Sequence, residues 1–371
     1  MRTEITARIR TAMIDAGLDA FIAVSPENFA YLTGFVVPSQ ADLRWRHAVA
    51  VLTADGKEAI LCVDMEETTV RERAGETNIR VWGEFTDNSM AVLADLVVEL
   101  GLEEARIGTE FDYLPAGDLR ELERRISTAS VMPAEAMMHR LRQVKTREEV
   151  DLLRRLSRIS DTAIGNAFDA VAPGDTEMDL AAALTRSVYE LGAEKFKMMI
   201  IATGERSQLP NVGPSDRVLT PGDVCRVEIF SMIGGYHAGV CRTAVVDHPP
   251  PEAERIWANL AECRHMLLNL IVPGGKTRPI YQAFLDMFGA LGLPPIDFVG
   301  HGIGLHLHEY PYLSVYDEST LEAGMVLGVE PLVYRTGFGF GLQFKDMVAV
   351  TTTGSELLSN TTDNEQLVVI K

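Results

Sequence analysis

The sequence predicts two domains, an α/β domain at the N-terminal end and an α+β domain behind it. Three observations carry this expectation. Short β-rich runs alternate with amphipathic helical stretches through the first third, and two strand pairs follow helices in the rest. The third is length: 371 residues exceed what one core usually organises, since domains commonly hold about 150 residues.

The elements follow in order. MRTEITARIRTAMIDAG reads as an opening helix, and FIAVS at 21–25, AVAVL at 48–52, EAILCV at 58–63 and IRVWGEF at 79–85 read as strands. MAVLADLVVELG reads as a helix stopped by Gly101, a residue free to take the left-handed cap conformation. No glycine-rich loop follows a strand, so a dinucleotide site is not expected. The domain junction is expected near 135–145, giving domains at 1–140 and 141–371. There Thr146 and Glu149 form a capping box ahead of the long helix VDLLRRLSRISDTAIGNAF. Pro173-Gly174 ends that helix, Thr176 starts another through Leu191, and further helices are expected at 251–271 and 277–291. The strand pairs are VCRVEIFSMI with GYHAGVCRTAVV, and MVLGVEPLVY with LQFKDMVAV. No internal repeat is read from the sequence.

Composition narrows the function classes. Hydrophobic residues at 47% and charged residues at 23% describe a folded chain. A net charge of −19 makes nucleic acid and anionic membrane surfaces poor partners. The N-terminus lacks the uninterrupted apolar core of a signal peptide, and no run approaches the roughly 20 apolar residues of a membrane span. Cys62, Cys225, Cys241 and Cys263 are too few and too scattered for a disulfide framework, so a cytoplasmic location is expected.

The densest ionisable cluster is Gly300-His301-Gly-Ile-Gly-Leu-His306-Leu-His308-Glu309, which holds three of the chain's eight histidines. Imidazole is a common metal ligand and titrates near neutrality. In a strand, His306 and His308 would share one face while the leucines pack behind.

GHGIGLHLHEYP, with AGMVLGVEPLVY after it and GDVCRVEIFSMIGGYHAGVCRT before it, resembles the pita-bread family of creatinase, prolidase and the Xaa-Pro and methionine aminopeptidases. The similarity runs in order through residues 146–371, and the preceding α/β domain resembles the N-terminal domain of the creatinase and prolidase branch. The resemblance implies a hydrolase with a small-molecule substrate. Metallopeptidases of this family hold two divalent ions on two Asp, one His and two Glu. Those positions fall on Glu228, Gly239, His301, Glu330 and Lys345. Gly239 offers no donor atom, and Lys345 brings an ammonium where a carboxylate is expected. Unit charges about 4 Å apart interact by roughly 4 kcal/mol at an effective dielectric of about 20, so that ammonium opposes a dication. The expectation is therefore a site with no cofactor, in which Lys345 replaces part of the metal's charge. The alternative is that Lys345 points to solvent and one divalent ion rests on Glu228, His301 and Glu330.

FSMIGGYHAGVCRTAVVDH is similar to the creatinase hairpin, which makes Tyr236 a candidate substrate contact. Arg46 falls where creatinase holds its substrate's carboxylate across a dimer interface, a role that suits a bidentate guanidinium. The resemblance thus implies a homodimer with the pocket near the subunit interface. Otherwise Arg46 is an ordinary surface charge beside Arg44. Creatinase's catalytic histidine falls on Asn211 and one of its pocket glutamates on Cys241. Proton transfer then passes to His301 or His308, while Glu228 and Glu330 orient a histidine or bind a cationic nitrogen. Cys241 reads as a nucleophile if its pKa is lowered, or as a small buried hydrophobe. Together these imply metal-independent hydrolysis of a C–N bond in a small nitrogenous carboxylic acid, with Lys345 stabilising oxyanion charge. The alternatives are an Xaa-Pro dipeptidase with a reduced metal site, and a non-catalytic pita-bread binding protein.

Overall fold

Continuous apolar runs, rather than alternating ones, mark strands covered on both faces, and the first unit is built on such strands. A computed structural model describes residues 1–75 and 77–371, which divide into units Met1–Arg142 and Gln143–Lys371. In the first unit Ala20–Ala23, Val49–Thr53 and Glu58–Val63 lie almost wholly buried. They form the middle of a six-stranded mixed sheet, in the order Asn78–Trp82, Glu58–Val63, Val49–Thr53, Ala20–Ala23, Arg106–Thr109, Ser130–Pro133. The helix Ser89–Glu99 packs Leu93, Leu96 and Val97 into that sheet's core. Gly101 follows with φ 80°, the left-handed conformation that ends the helix.

The second unit opens with the expected cap. Thr146 Oγ1 accepts from Glu149 N at 3.3 Å while Glu149 Oε2 accepts from Thr146 N at 2.8 Å, and the helix Arg147–Asp169 follows. One sheet contains Lys195–Thr203, Val224–Ile233, Tyr236–Val246 and Val368–Ile370. A five-stranded sheet runs Glu309–Ser314, Phe298–Gly302, Val326–Val329, Asp346–Val350, Ser355–Leu357, with a small hairpin of Leu332–Val333 and Leu342–Gln343 beside it. Reciprocal backbone hydrogen bonds between Cys241 and Lys345, at 3.1 and 3.3 Å, join the two sheets. Trp257, from the helix Pro251–Leu270, stacks on Phe344 at 3.7 Å and anchors the core beneath the second sheet. Among the described residues no helix is long and apolar enough to cross a membrane.

A repeat that sequence reading did not find is present in this unit. The helix pair Arg147–Asp169 and Glu177–Glu190 recurs as Pro251–Leu270 and Thr277–Ala290. Gly174 (φ 100°) and Gly192 (φ 93°) recur at positions higher by 100, as Gly274 (φ 87°) and Gly292 (φ 74°). The hydrogen bonds recur with them: Gly174 N donates to Leu219 O at 2.9 Å and Gly274 N to Leu321 O at 2.8 Å. Positive φ and a Pro-Gly turn persist because the backbone needs them; side chains on the strands diverge.

Candidate active site

Period-two alternation brings the first charges together. On Val224–Ile233, Glu228 and Phe230 share a face, opposite Cys241 and Gly239 on Tyr236–Val246. From the other sheet, His301 pairs across from Gly328, and Glu330 follows that strand, its N–H donating to Val299 O at 2.8 Å. Gly328 leaves them room: a Cβ there would stand 3.3 Å from Lys345 Cε and 3.4 Å from His301 Nε2.

Lys345 does not face solvent; it is 2% exposed. Its Nζ lies 3.2 Å from Glu228 Oε1 and 3.1 Å from Glu330 Oε2, and 4.7 Å above the Phe230 ring. Burial alone would lower the Lys345 pKa, but the two carboxylates outweigh it and raise it. Burial would likewise raise that of Glu330, but Lys345 first, then His301 and His308, outweigh it and lower it, so both groups stay charged. Sequence reading missed two further members. Gln343 Nε2 donates to Glu228 Oε2 at 3.3 Å and to Glu330 Oε2 at 3.2 Å. Its Oε1 accepts from Arg226 Nη1 at 2.8 Å, which fixes the amide's orientation. Arg226 and Gln343 each stand two positions before a predicted site residue, Glu228 and Lys345, so strand alternation was the available signal.

His301 Nδ1 lies 2.8 Å from Gly302 O. A carbonyl only accepts, so Nδ1 carries a proton, while Nε2 lies 3.2 Å from Glu330 Oε1. The two atoms are not aligned for a hydrogen bond, and each is buried with no other partner. The His308 ring stacks on His301 at 3.7 Å and 9°. Burial, then the neighbouring His301 and Lys345, lower its pKa to about 4, although one edge opens to the cleft. Donor atoms of His301, His308 and Glu330 all lie within 4.8 Å of one another.

A buried imidazole nitrogen and a buried carboxylate oxygen, neither hydrogen-bonded, with a second imidazole beside them, are the donor types a divalent ion prefers. That three-donor set therefore fits a metal. The five-position family arrangement does not fit: Glu228 is held by Lys345 and Gln343, and a Cβ at Gly239 would come within 2.7 Å of the Phe230 ring.

Asn211, Glu228, His308, Glu330 and Lys345 line one cleft of about 520 Å³. Other expected residues lie elsewhere. Residues 303–308 form a loop instead of a strand, so His308 folds back over His301 while His306 N donates to Glu309 Oε1 at 3.2 Å. Cys241 is fully buried and its pKa is raised well above the usual value, by burial first and then by Glu228. Of the two readings of Cys241, this burial favours the small buried hydrophobe over the nucleophile. Tyr236, expected at the substrate, instead donates its hydroxyl to Glu149 Oε1 at 2.7 Å, tying strand to helix. Arg46 belongs to the first unit, where its Nε donates to Glu84 Oε1 at 2.8 Å.

Residues 151–352 match the description of metallopeptidase family M24, and residues 6–144 that of the creatinase/prolidase N-terminal domain. The chain belongs to metallopeptidase family M24. As a member it is a hydrolase acting on carbon–nitrogen bonds. It is similar to a probable dipeptidase PepE of Mycobacterium tuberculosis, at 29% identity covering 94% of this chain and 92% of that protein. It is also similar to an Xaa-Pro dipeptidase of Pyrococcus furiosus, at 31% identity covering 60% of this chain and 64% of that protein. Among solved structures, dipeptidase PepE from Mycobacterium ulcerans superposes with a TM-score of 0.84 at 28% identity, covering 99% and 97% of the two chains. M24 membership and the His301, His308 and Glu330 cluster overturn the expectation of a site without a cofactor. The dipeptidase relatives favour the peptidase alternative over the creatinase-like reading.

Proposed function

We propose that this chain hydrolyses the peptide bond of dipeptide-sized substrates, Xaa-Pro dipeptides first among them. The observation that carries this reading is the pair of buried atoms His301 Nε2 and Glu330 Oε1, 3.2 Å apart and neither hydrogen-bonded, in an M24 chain. The substrate class comes from relatives named dipeptidase and Xaa-Pro dipeptidase. A cleft of about 520 Å³ has the size of small-ligand sites, and Met198, Phe298, Leu332 and Tyr334 give it apolar walls suited to a pyrrolidine ring.

His301, His308 and Glu330 are the residues that would hold a divalent ion. The chemistry such an ion supplies when bound is Lewis-acid polarisation of a carbonyl and a water of lowered pKa. The remaining work falls to the chain's own groups. Lys345 Nζ, fixed between two carboxylates, stabilises negative charge developing on the carbonyl oxygen. Glu228, held on Oε1 by Lys345 and on Oε2 by Gln343, accepts a proton from the attacking water. Asn211 at the cleft wall orients the substrate by hydrogen bonding, not by proton transfer.

The test is amino-acid release from Xaa-Pro and other dipeptides by Mn²⁺-loaded protein, with creatine as the comparison substrate. Dipeptide turnover is expected, lost on dialysis against EDTA and restored by Mn²⁺. Creatine turnover without dipeptide turnover overturns the reading.

A further inference from the structure

We infer that Lys345 is a built-in replacement for a second metal ion, so that this site takes one divalent ion per chain, on His301, His308 and Glu330, and none beside Glu228. The inference rests on the metallopeptidase reading above and specifies its metal content.

The argument is a count of carboxylate oxygens. The cluster has two carboxylates, and three of their four oxygens already accept from the chain. Glu228 Oε1 faces Lys345 Nζ at 3.2 Å, and Glu228 Oε2 accepts from Gln343 Nε2 at 3.3 Å. Glu330 Oε2 accepts from Lys345 at 3.1 Å and Gln343 at 3.2 Å. Only Glu330 Oε1 has no donor, and it lies beside the other orphan, His301 Nε2. Gln343 cannot swing aside to offer its oxygen, because Arg226 Nη1 donates to that oxygen at 2.8 Å from a fully buried position.

Space and charge agree with this count. Lys345 Nζ sits between Glu228 and Glu330, where an ion bridging the two carboxylates would have to be. The Phe230 ring lies under that ammonium and against Gly239, so close that a Cβ at Gly239 would stand 2.7 Å from ring Cδ1 and 2.9 Å from Cζ. No carboxylate can be built at position 239 without displacing the ring. With one dication, the two carboxylates and the ammonium leave a single net positive charge, which one hydroxide neutralises. A second dication would leave three positive charges in a buried pocket, which is costly without further anions.

The test is metal stoichiometry and magnetism of the full chain. Protein stripped with chelator, loaded with excess Mn²⁺ and desalted is expected to retain one Mn per chain by elemental analysis. Its electron paramagnetic resonance spectrum is expected to show the six lines of an isolated ion. His308→Ala and Glu330→Gln are expected to lower retention to below about a tenth of the wild-type value. Glu228→Gln, nearly isosteric and checked for a native melting curve, is expected to keep one ion. Two Mn per chain with an exchange-coupled spectrum overturns the inference while leaving the peptidase reading intact, as does loss of the ion in folded Glu228→Gln. One uncoupled Mn with no dipeptide turnover supports the metal assignment and counts against the peptidase reading instead.

Discussion

The two halves of the second unit share a scaffold and divide the chemistry unequally. In each, a long helix, a Pro-Gly turn and a second helix closed by Leu-Gly lead into strands, with equivalent glycines at 174 and 274 and at 192 and 292. The first half gives the cleft one charged donor, Glu228, flanked on its face by Phe230, Gly239 and Cys241. The second half gives His301, His308, Glu330 and Lys345. The difference teaches that backbone-determined positions survive duplication, whereas cleft-facing positions are free to change as long as local charge stays balanced. Here Lys345 of the second half balances Glu228 of the first.

The strongest way to break this comparison is to remove the cross-half charge. Lys345→Ala leaves two buried carboxylates without their cation and is expected to cost about 3–5 kcal/mol in urea unfolding; a loss below about 1 kcal/mol would mean the halves are not electrostatically joined. Glu228→Gln removes the first half's charged cleft group and is expected to lower kcat about 100-fold or more with folding retained, checked by steady-state dipeptide hydrolysis. The halves also meet at His237 of the first, whose backbone N donates to Gly304 O of the second at 2.7 Å. Its Nδ1 lies 3.1 Å from the same oxygen. Burial lowers the His237 pKa from 6.5 to about 4, so the unfolded chain binds the proton more tightly. This contribution is whole above about pH 6.5 and is lost as pH falls toward 4, by up to about 3 kcal/mol. His237→Gln should flatten that part of the stability profile. The smallest effect tests the repeat itself. Gly174 and Gly274 both have positive φ and nothing within 4 Å of an added Cβ, so Gly174→Ala and Gly274→Ala should each cost about 1 kcal/mol, and equally. Unequal melting shifts would show that the two turns bear different loads.

Much of this was legible from local chemistry. The Thr146–Glu149 cap is present as the spacing required. His301, Glu330 and Lys345 sit at adjacent strand ends because motif order survives in sequence. What was not legible depended on how segments bend. His308 was a candidate from the sequence, but its ring could be placed on His301 only once residues 303–308 were seen to leave the strand. For Cys241 and Tyr236 a strand position alone does not say whether its face meets a cleft or a neighbouring helix. Arg226 and Gln343 were hidden in plain alternation: a buried arginine in a strand must have partners, and here they are Gln343 and main-chain carbonyls. The repeat escaped because it persists in turn geometry and not in side-chain identity.

Arg226 ties the threshold of the cleft to its floor. One guanidinium nitrogen grips the carbonyls of Leu209 and Pro210, just ahead of Asn211, while another holds Gln343. A bulky inhibitor that prises the 209–211 segment outward must also let that glutamine swivel. Entrance and floor then yield together, like a door and sill hung on one pin, and resistance mutations at the rim will be felt in the depths.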